Sequence, residues 1–127
     1  MKNSRVRKIL LGLIALVFTG IAAGALVDPR RMARGIGYTL DNVDALNEYR
    51  AIYVGLWLAT AALMIVALRR IEQPLLGDLG AMLILGQTAG RILSLLLDGT
   101  PSARIWPVFI LEAVGGLALL LVRPSET

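Results

Sequence analysis

Neither cysteine nor histidine occurs anywhere in the 127 residues. Disulfides, thiolate and imidazole metal sites, cysteine nucleophiles and histidine acid–base chemistry are therefore excluded together. Only a metal held by carboxylates alone would survive that exclusion, and neither a metal nor any other cofactor is expected. Charge is also scarce, at 17 % of residues against about 25 % in soluble domains. Internal repeats, low-complexity tracts and hinge-like linkers are lacking, and the length suits one domain, residues 1–127. What fills the chain instead is apolar: 57 % hydrophobic residues and a mean hydropathy of +0.72, above the roughly 45–50 % apolar usage of soluble proteins. The solvent implied is lipid.

The net charge of +4 and isoelectric point near 10.1 do not point to nucleic acid, whose readers gather Lys and Arg on one solvated face. Here the basic residues mostly flank apolar runs, as charges that set topology beside anionic lipid do. Four such runs stand out: residues 9–27, 51–68, 75–97 and 105–122. Each approaches or meets the roughly 17–25 helical residues needed to cross about 30 Å of hydrocarbon. Open sheet edges are forbidden in lipid, so the expected fold is an all-α integral membrane protein, a four-transmembrane-helix antiparallel bundle. The basic KNSRVRK at 2–8 and the small residues Ala22 to Ala25 imitate a signal peptide. The run between them exceeds the usual 7–15 residues of an h-region, so an uncleaved first span is the expectation.

Orientation follows from Lys and Arg. One side would carry Lys2, Arg5, Arg7, Lys8, Arg69, Arg70 and Arg123, and the other Arg30, Arg31, Arg34, Arg50 and Arg104. Seven against five favours cytoplasmic termini in a multi-pass protein of a bacterial inner membrane. The longest connection, residues 28–50, is expected to be loop in its first half. Its second half begins helix two near residue 42, with Asp41 as N-cap. The terminal PSET is expected to fray.

Three charges interrupt the apolar runs: Asp78 near the start of run three, and two that lie deeper. Arg91 lies six residues, about 9 Å, before the end of run three, and Glu112 lies seven residues, about 10–11 Å, after the start of run four. On adjacent antiparallel helices they reach nearly the same depth. Isolated charges in lipid cost at least roughly 2.5–3.5 kcal/mol and so pair inside the bundle. Gln87, Arg91, Ser94 and Asp98 share one helical face. Ala51, Gly55, Ala59 and Ala62 form a small-residue stripe below Glu48, which is expected to turn Glu48 inward while Arg50 snorkels to the headgroups. The expected site is an outward-opening pocket of Glu48, Arg91, Asp98 and Glu112, lined by Tyr53, Gln87 and Ser94, with a surplus of negative charge. Asp78 is expected to serve the positive start of helix three, and Tyr49, Tyr53 and Trp106 to anchor at the interface.

The stretches NEYRAIYVGLW (47–57), GRILSLLLDGTPS (90–102) and FILEAVGGL (109–117) resemble a family of small bacterial membrane proteins catalogued as a domain of unknown function. More distantly they resemble the DoxX-type four-helix proteins. The matching residues are Glu48, Tyr49, Arg50, Gly90, Arg91, Ser94, Asp98, Gly99, Pro101 and Glu112. The resemblance implies a four-helix membrane protein and no particular activity, cofactor or substrate. Two functions are therefore expected: a non-enzymatic protein binding a lipid or amphiphile in the pocket, or an accessory subunit of a larger membrane complex, or a homo-oligomer, whose ion pair only fixes the helices. Nothing in the spacing of Ser94, the tyrosines or the carboxylates is a catalytic signature.

Overall fold

The structure is a computed structural model that describes residues 2–124, so Ser125, Glu126 and Thr127 of the expected frayed tail lie outside the described residues. The described chain is helical throughout, without strands. Helix α1 covers Lys2–Val27, α2 Pro29–Gly35, α3 Val43–Arg50, α4 Trp57–Arg69, α5 Pro74–Asp98 and α6 Trp106–Leu121. A π-helical turn, Ala51–Leu56, joins α3 to α4 without a break. Three stretches are long and apolar enough to cross a membrane: Asn3–Val27, Val43–Arg69 and Pro74–Asp98. Helix α6 is apolar but, at 16 residues, spans only about 24 Å.

Local chemistry explains the boundaries. Asp28 caps α2, its side chain accepting from the Arg31 N–H at 3.0 Å, and Pro29 follows at the first turn, where a missing N–H costs nothing. Residues 29–35, expected as loop, are therefore a short helix. The cap of α3 is Asn42, which accepts from the Ala45 N–H at 2.8 Å, and not Asp41. Both side chains suit an N-cap, and one residue of register decides between them. Gly99, at φ +87°, ends α5 in a conformation that side chains with a Cβ rarely adopt.

Helix α1 packs on α4, α4 on α5, α5 on α6, and α6 back on α1. The inner stripe of α1 is Leu11, Ala15, Phe18, Ala22 and Ala25, spaced by four and three residues, so small residues alternate with large ones where α4 arrives. Phe18 meets Trp57 edge-on at 4.9 Å between centroids. Two glycines act as holes for large side chains. A Cβ on Gly80 would come within 2.6 Å of Met64, and one on Gly116 within 2.6 Å of Leu85. The outward surface is apolar, including Ile9, Leu16, Met82, Leu96 and Leu121, the inverse of a soluble helical protein.

The inner face of the α3–α4 helix differs from the sequence expectation. Ala51, Gly55, Ala59 and Ala62 point outward, and Glu48 with them. The inner line is Tyr49, Tyr53 and Trp57, followed by Ala61, Met64 and Ala67. The large rings of α3, the π turn and α4 are accommodated by the alanines of α1, so the close-approach surface belongs to α1. The π turn helps: an α-helix would let the four-residue spacing of Tyr49, Tyr53 and Trp57 drift by about 40° per step, and a turn closed from i to i+5 opposes that drift.

Candidate functional site

At the end of the molecule that carries α2 and the α5–α6 connection, Arg91 of α5 and Glu112 of α6 form a side-on ion pair. Arg91 Nε donates to Glu112 Oε2 at 2.6 Å and Nη2 donates to Oε1 at 2.9 Å. Both carboxylate oxygens are engaged, a geometry only a guanidinium offers. The partners are unequally sealed: the Glu112 side chain is 6 % exposed and that of Arg91 26 %. With Nε and one Nη2 proton committed, the Nη1 edge is left to meet another acceptor.

The other expected members divide: Tyr53, Gln87 and Ser94 gather beside Arg91, and Glu48 and Asp98 do not. Ser94 donates to Asp98 at 3.2 Å on the exposed end of α5, and Gln87, Ser94 and Tyr53 line a cavity of about 400 Å³ beside Arg91. Asp98 is fully on the surface. Glu48 is exposed and lines neither cavity beside Arg91, because the aromatic face of its helix turns inward. The expected surplus of negative charge is therefore absent at the pair, where one carboxylate meets one guanidinium. Among the described residues no group of three or more carboxylates is gathered as a metal site would require.

Aromatic residues take the place expected for Glu48. Tyr49 and Tyr53 stack at 4.3 Å with planes 17° apart, Tyr38 meets both edge-on at 6.3 Å, and Tyr53 lies 5.1 Å from Trp57. Tyr49 is buried, so it is a packing residue and not an interface anchor. A second cavity of about 230 Å³ runs between these rings and Arg91, with Ile105 and Val108 on its α6 side. Tyr38, Tyr53, Arg91 and Ile105 line both cavities, and Arg91 is the charged residue in each lining. The spacing of Tyr49, Tyr53 and Trp57 by four residues was the available signal for this wall; the small-residue stripe competed with it.

A third cavity, also about 230 Å³ and almost wholly apolar, lies between α1 and α6. Its wall carries Ile14, Phe18 and Ile21 of α1, and Leu111 and Gly115 of α6, with Glu112 as its one charged residue. Ile21, Trp57 and Val108 border both this cavity and the aromatic one.

The opposite end of the molecule holds a second charged cluster that sequence reasoning missed. Arg7 Nη2 donates to Asp78 Oδ1 at 2.6 Å and to the Pro74 carbonyl at 2.9 Å, while Arg123 Nε donates to Asp78 Oδ2 at 2.6 Å. Arg7 is 1 % exposed, and its Nη1 is buried without a hydrogen-bond partner. A Cβ on Gly77 would collide with the guanidinium. Asp78 therefore does more than complement a helix start: it clasps α5 to α1 and to the residues after α6. The signal was available in the argument used for Arg91 and Glu112, since Arg7, just before run one, and Asp78, near the start of run three, are opposite charges at matching depth.

No curated protein and no solved structure matches the chain. The model of the family described as "Domain of unknown function (DUF4345)" matches residues 6–123, nearly the whole chain and all of both charged clusters except the neighbouring tail. The protein thus belongs to the DUF4345 family.

Proposed function

We infer that this protein is a four-helix antiparallel bundle of a bacterial inner membrane, both termini cytoplasmic, that binds an amphiphilic ligand beside Arg91 without transforming it. The observation that carries the reading is the environment of the ion pair. A pair serving register alone needs only to be sealed, whereas Arg91 is a quarter exposed and borders two cavities. Cavities that join apolar walls to a few fixed polar groups are the usual form of small-molecule sites. The Lys and Arg count supports the orientation. The packing of α6 against both α5 and α1 supports a fourth span despite its shortness, which tilt of the others or local thinning of the bilayer accommodates.

Native mass spectrometry of the detergent-extracted full chain tests this reading. Wild type should carry a bound species of defined mass, and Arg91→Gln should lose it while retaining its helical circular dichroism. A wild-type spectrum of bare protein, or a species retained by Arg91→Gln, would refute it.

A second reading has its own observation. The outward stripe of Ala51, Gly55, Ala59 and Ala62 is of the kind that lets another membrane helix approach closely. This favours a subunit of a larger assembly or a homo-oligomer, in which the ion pair is architectural. The same spectra separate the two, because a subunit would retain a protein partner and no small ligand.

A further inference from the structure

We propose that the ligand is a single-chain anionic lipid, its carboxylate or phosphate head on the Nη1 edge of Arg91 and its acyl tail in the apolar cavity between α1 and α6. This rests on the ligand reading of the Arg91 site and adds to it the class of molecule and the path of its tail.

The argument is one of order along the helices. On α6, the cavity beside Gln87 touches Pro101, Ile105 and Phe109 before and at the start of the helix, the aromatic cavity touches Ile105 and Val108, and the apolar cavity begins at Val108 and continues past Gly115 to Ala118. On α1, which runs alongside, the aromatic cavity touches Ile21 and the apolar one extends from Ile21 to Leu10. Ile21, Trp57 and Val108 are thus the shared wall where the aromatic space that reaches Arg91 gives way to an almost wholly apolar one. From there the apolar cavity follows α1 for eleven residues, about 16 Å. A polar end, a short aromatic neck and a long apolar run have the proportions of one amphiphile.

Charge decides the head. Arg91 is the charged residue in the linings of both cavities beside it, while Glu112 lies on the almost wholly apolar side. The two faces of one ion pair are thereby separated, and the ligand's head meets the guanidinium. A carboxylate or phosphate oxygen completes the fork that Glu112 occupies on one edge only. A cationic head would face the like charge of Arg91 without a carboxylate in either lining. The tail gains no hydrophobic advantage over bulk lipid, so affinity comes from the head and selectivity from the fit of one chain between α1 and α6.

Trp57 borders both spaces and reports on them. In a Trp106→Phe background it is the sole tryptophan. The full chain is reconstituted in vesicles of phosphatidylcholine, and a fatty acid brominated near its head, or near its methyl end, is added. Saturable quenching is expected, stronger with bromine near the head. A Cβ on Gly115 would meet only Ile14 Cδ1, at 3.9 Å, so the side chain of Gly115→Leu enters the apolar cavity. That variant should weaken the apparent affinity about tenfold, the scale of an overpacked site; Arg91→Gln should abolish saturation, and a brominated alcohol of equal length should not saturate.

Quenching that rises linearly with bromolipid, indifferent to Gly115→Leu, means ordinary surrounding lipid and overturns the proposal. The position of the bromine tests the tail's path without any variant: equal quenching from both positions also overturns it. Should native mass spectrometry still show an Arg91-dependent ligand in either case, only the tail's path and class are lost. Should it show none, the ligand reading itself fails.

Discussion

The two ends of this molecule use the same chemistry under opposite arrangements. At one end the cation is sealed: Arg7 is 1 % exposed, while its carboxylate partner, Asp78, is 20 % exposed and accepts from a second cation, Arg123. At the other end the anion is sealed: Glu112 is 6 % exposed and Arg91 faces the cavities. Which partner is enclosed determines what the pair presents to its surroundings. The clasp presents a carboxylate already shared by two guanidinium groups, and it ties three segments distant in sequence. The Arg91 pair presents a guanidinium edge with hydrogen-bonding capacity in reserve. One is a joint between helices; the other is, on the proposed reading, a receptor for an acceptor.

Breaking the clasp should have the largest effect on stability. Asp78→Leu leaves the Arg7 charge buried and unpaired, a loss of about 3–5 kcal/mol, measured by thermal or denaturant unfolding in detergent. Replacing both partners, as Arg7→Met with Asp78→Leu, should recover most of it, because a buried ion pair and an apolar pair of similar volume are often close in stability. A single Asp78→Leu variant as stable as wild type would mean that Arg7 reaches water. Next in size, Gly77→Ala should cost about 1–3 kcal/mol by driving a methyl group into the Arg7 guanidinium. Gly86→Ala and Gly90→Ala meet nothing within 4 Å and should raise stability slightly, by up to about 1 kcal/mol, through helix propensity.

At the other end, Glu112→Gln keeps an acceptor beside a guanidinium that is already partly exposed. It should cost less than Asp78→Leu, about 1–2 kcal/mol in the same unfolding experiment. Smallest of all, Glu48→Gln should change stability by less than about 0.5 kcal/mol and leave any bound ligand in place. A larger loss would return Glu48 to the interior position that the small-residue stripe suggests.

Much of the architecture was legible because lipid imposes a coarse rule that composition reveals. The apolar runs, the break at Pro74, the turn at Asp98–Gly99 and the depth match of Arg91 with Glu112 follow from length and charge alone. The identity of the inner face of α3 and α4 did not. Small residues mark close approach, but they do so equally on an inner or an outer face, and here the alanines of α1 take that role while the rings of Tyr49, Tyr53 and Trp57 occupy the interior. The π turn at Ala51–Leu56 has no composition signature either, yet Glu48 still shares the face of Ala51 and Gly55; angular spacing groups residues on a face without telling which face turns inward. The clasp escaped because Arg7 and Arg123 fall outside the apolar runs and were counted as topology charges, although Asp78 required a partner as much as Glu112 did.

The contrast between a joint and a proposed receptor is tested most directly by thermal unfolding with and without a single-chain anionic lipid, in wild type, in Arg91→Gln and in the Arg7→Met, Asp78→Leu double variant. Wild type and the double variant should both gain about 2.7 kcal/mol at a lipid concentration near 100 times Kd, and Arg91→Gln should gain nothing. An equal gain in all three, or a gain lost in the double variant but kept in Arg91→Gln, would contradict the assignment of binding to the Arg91 end.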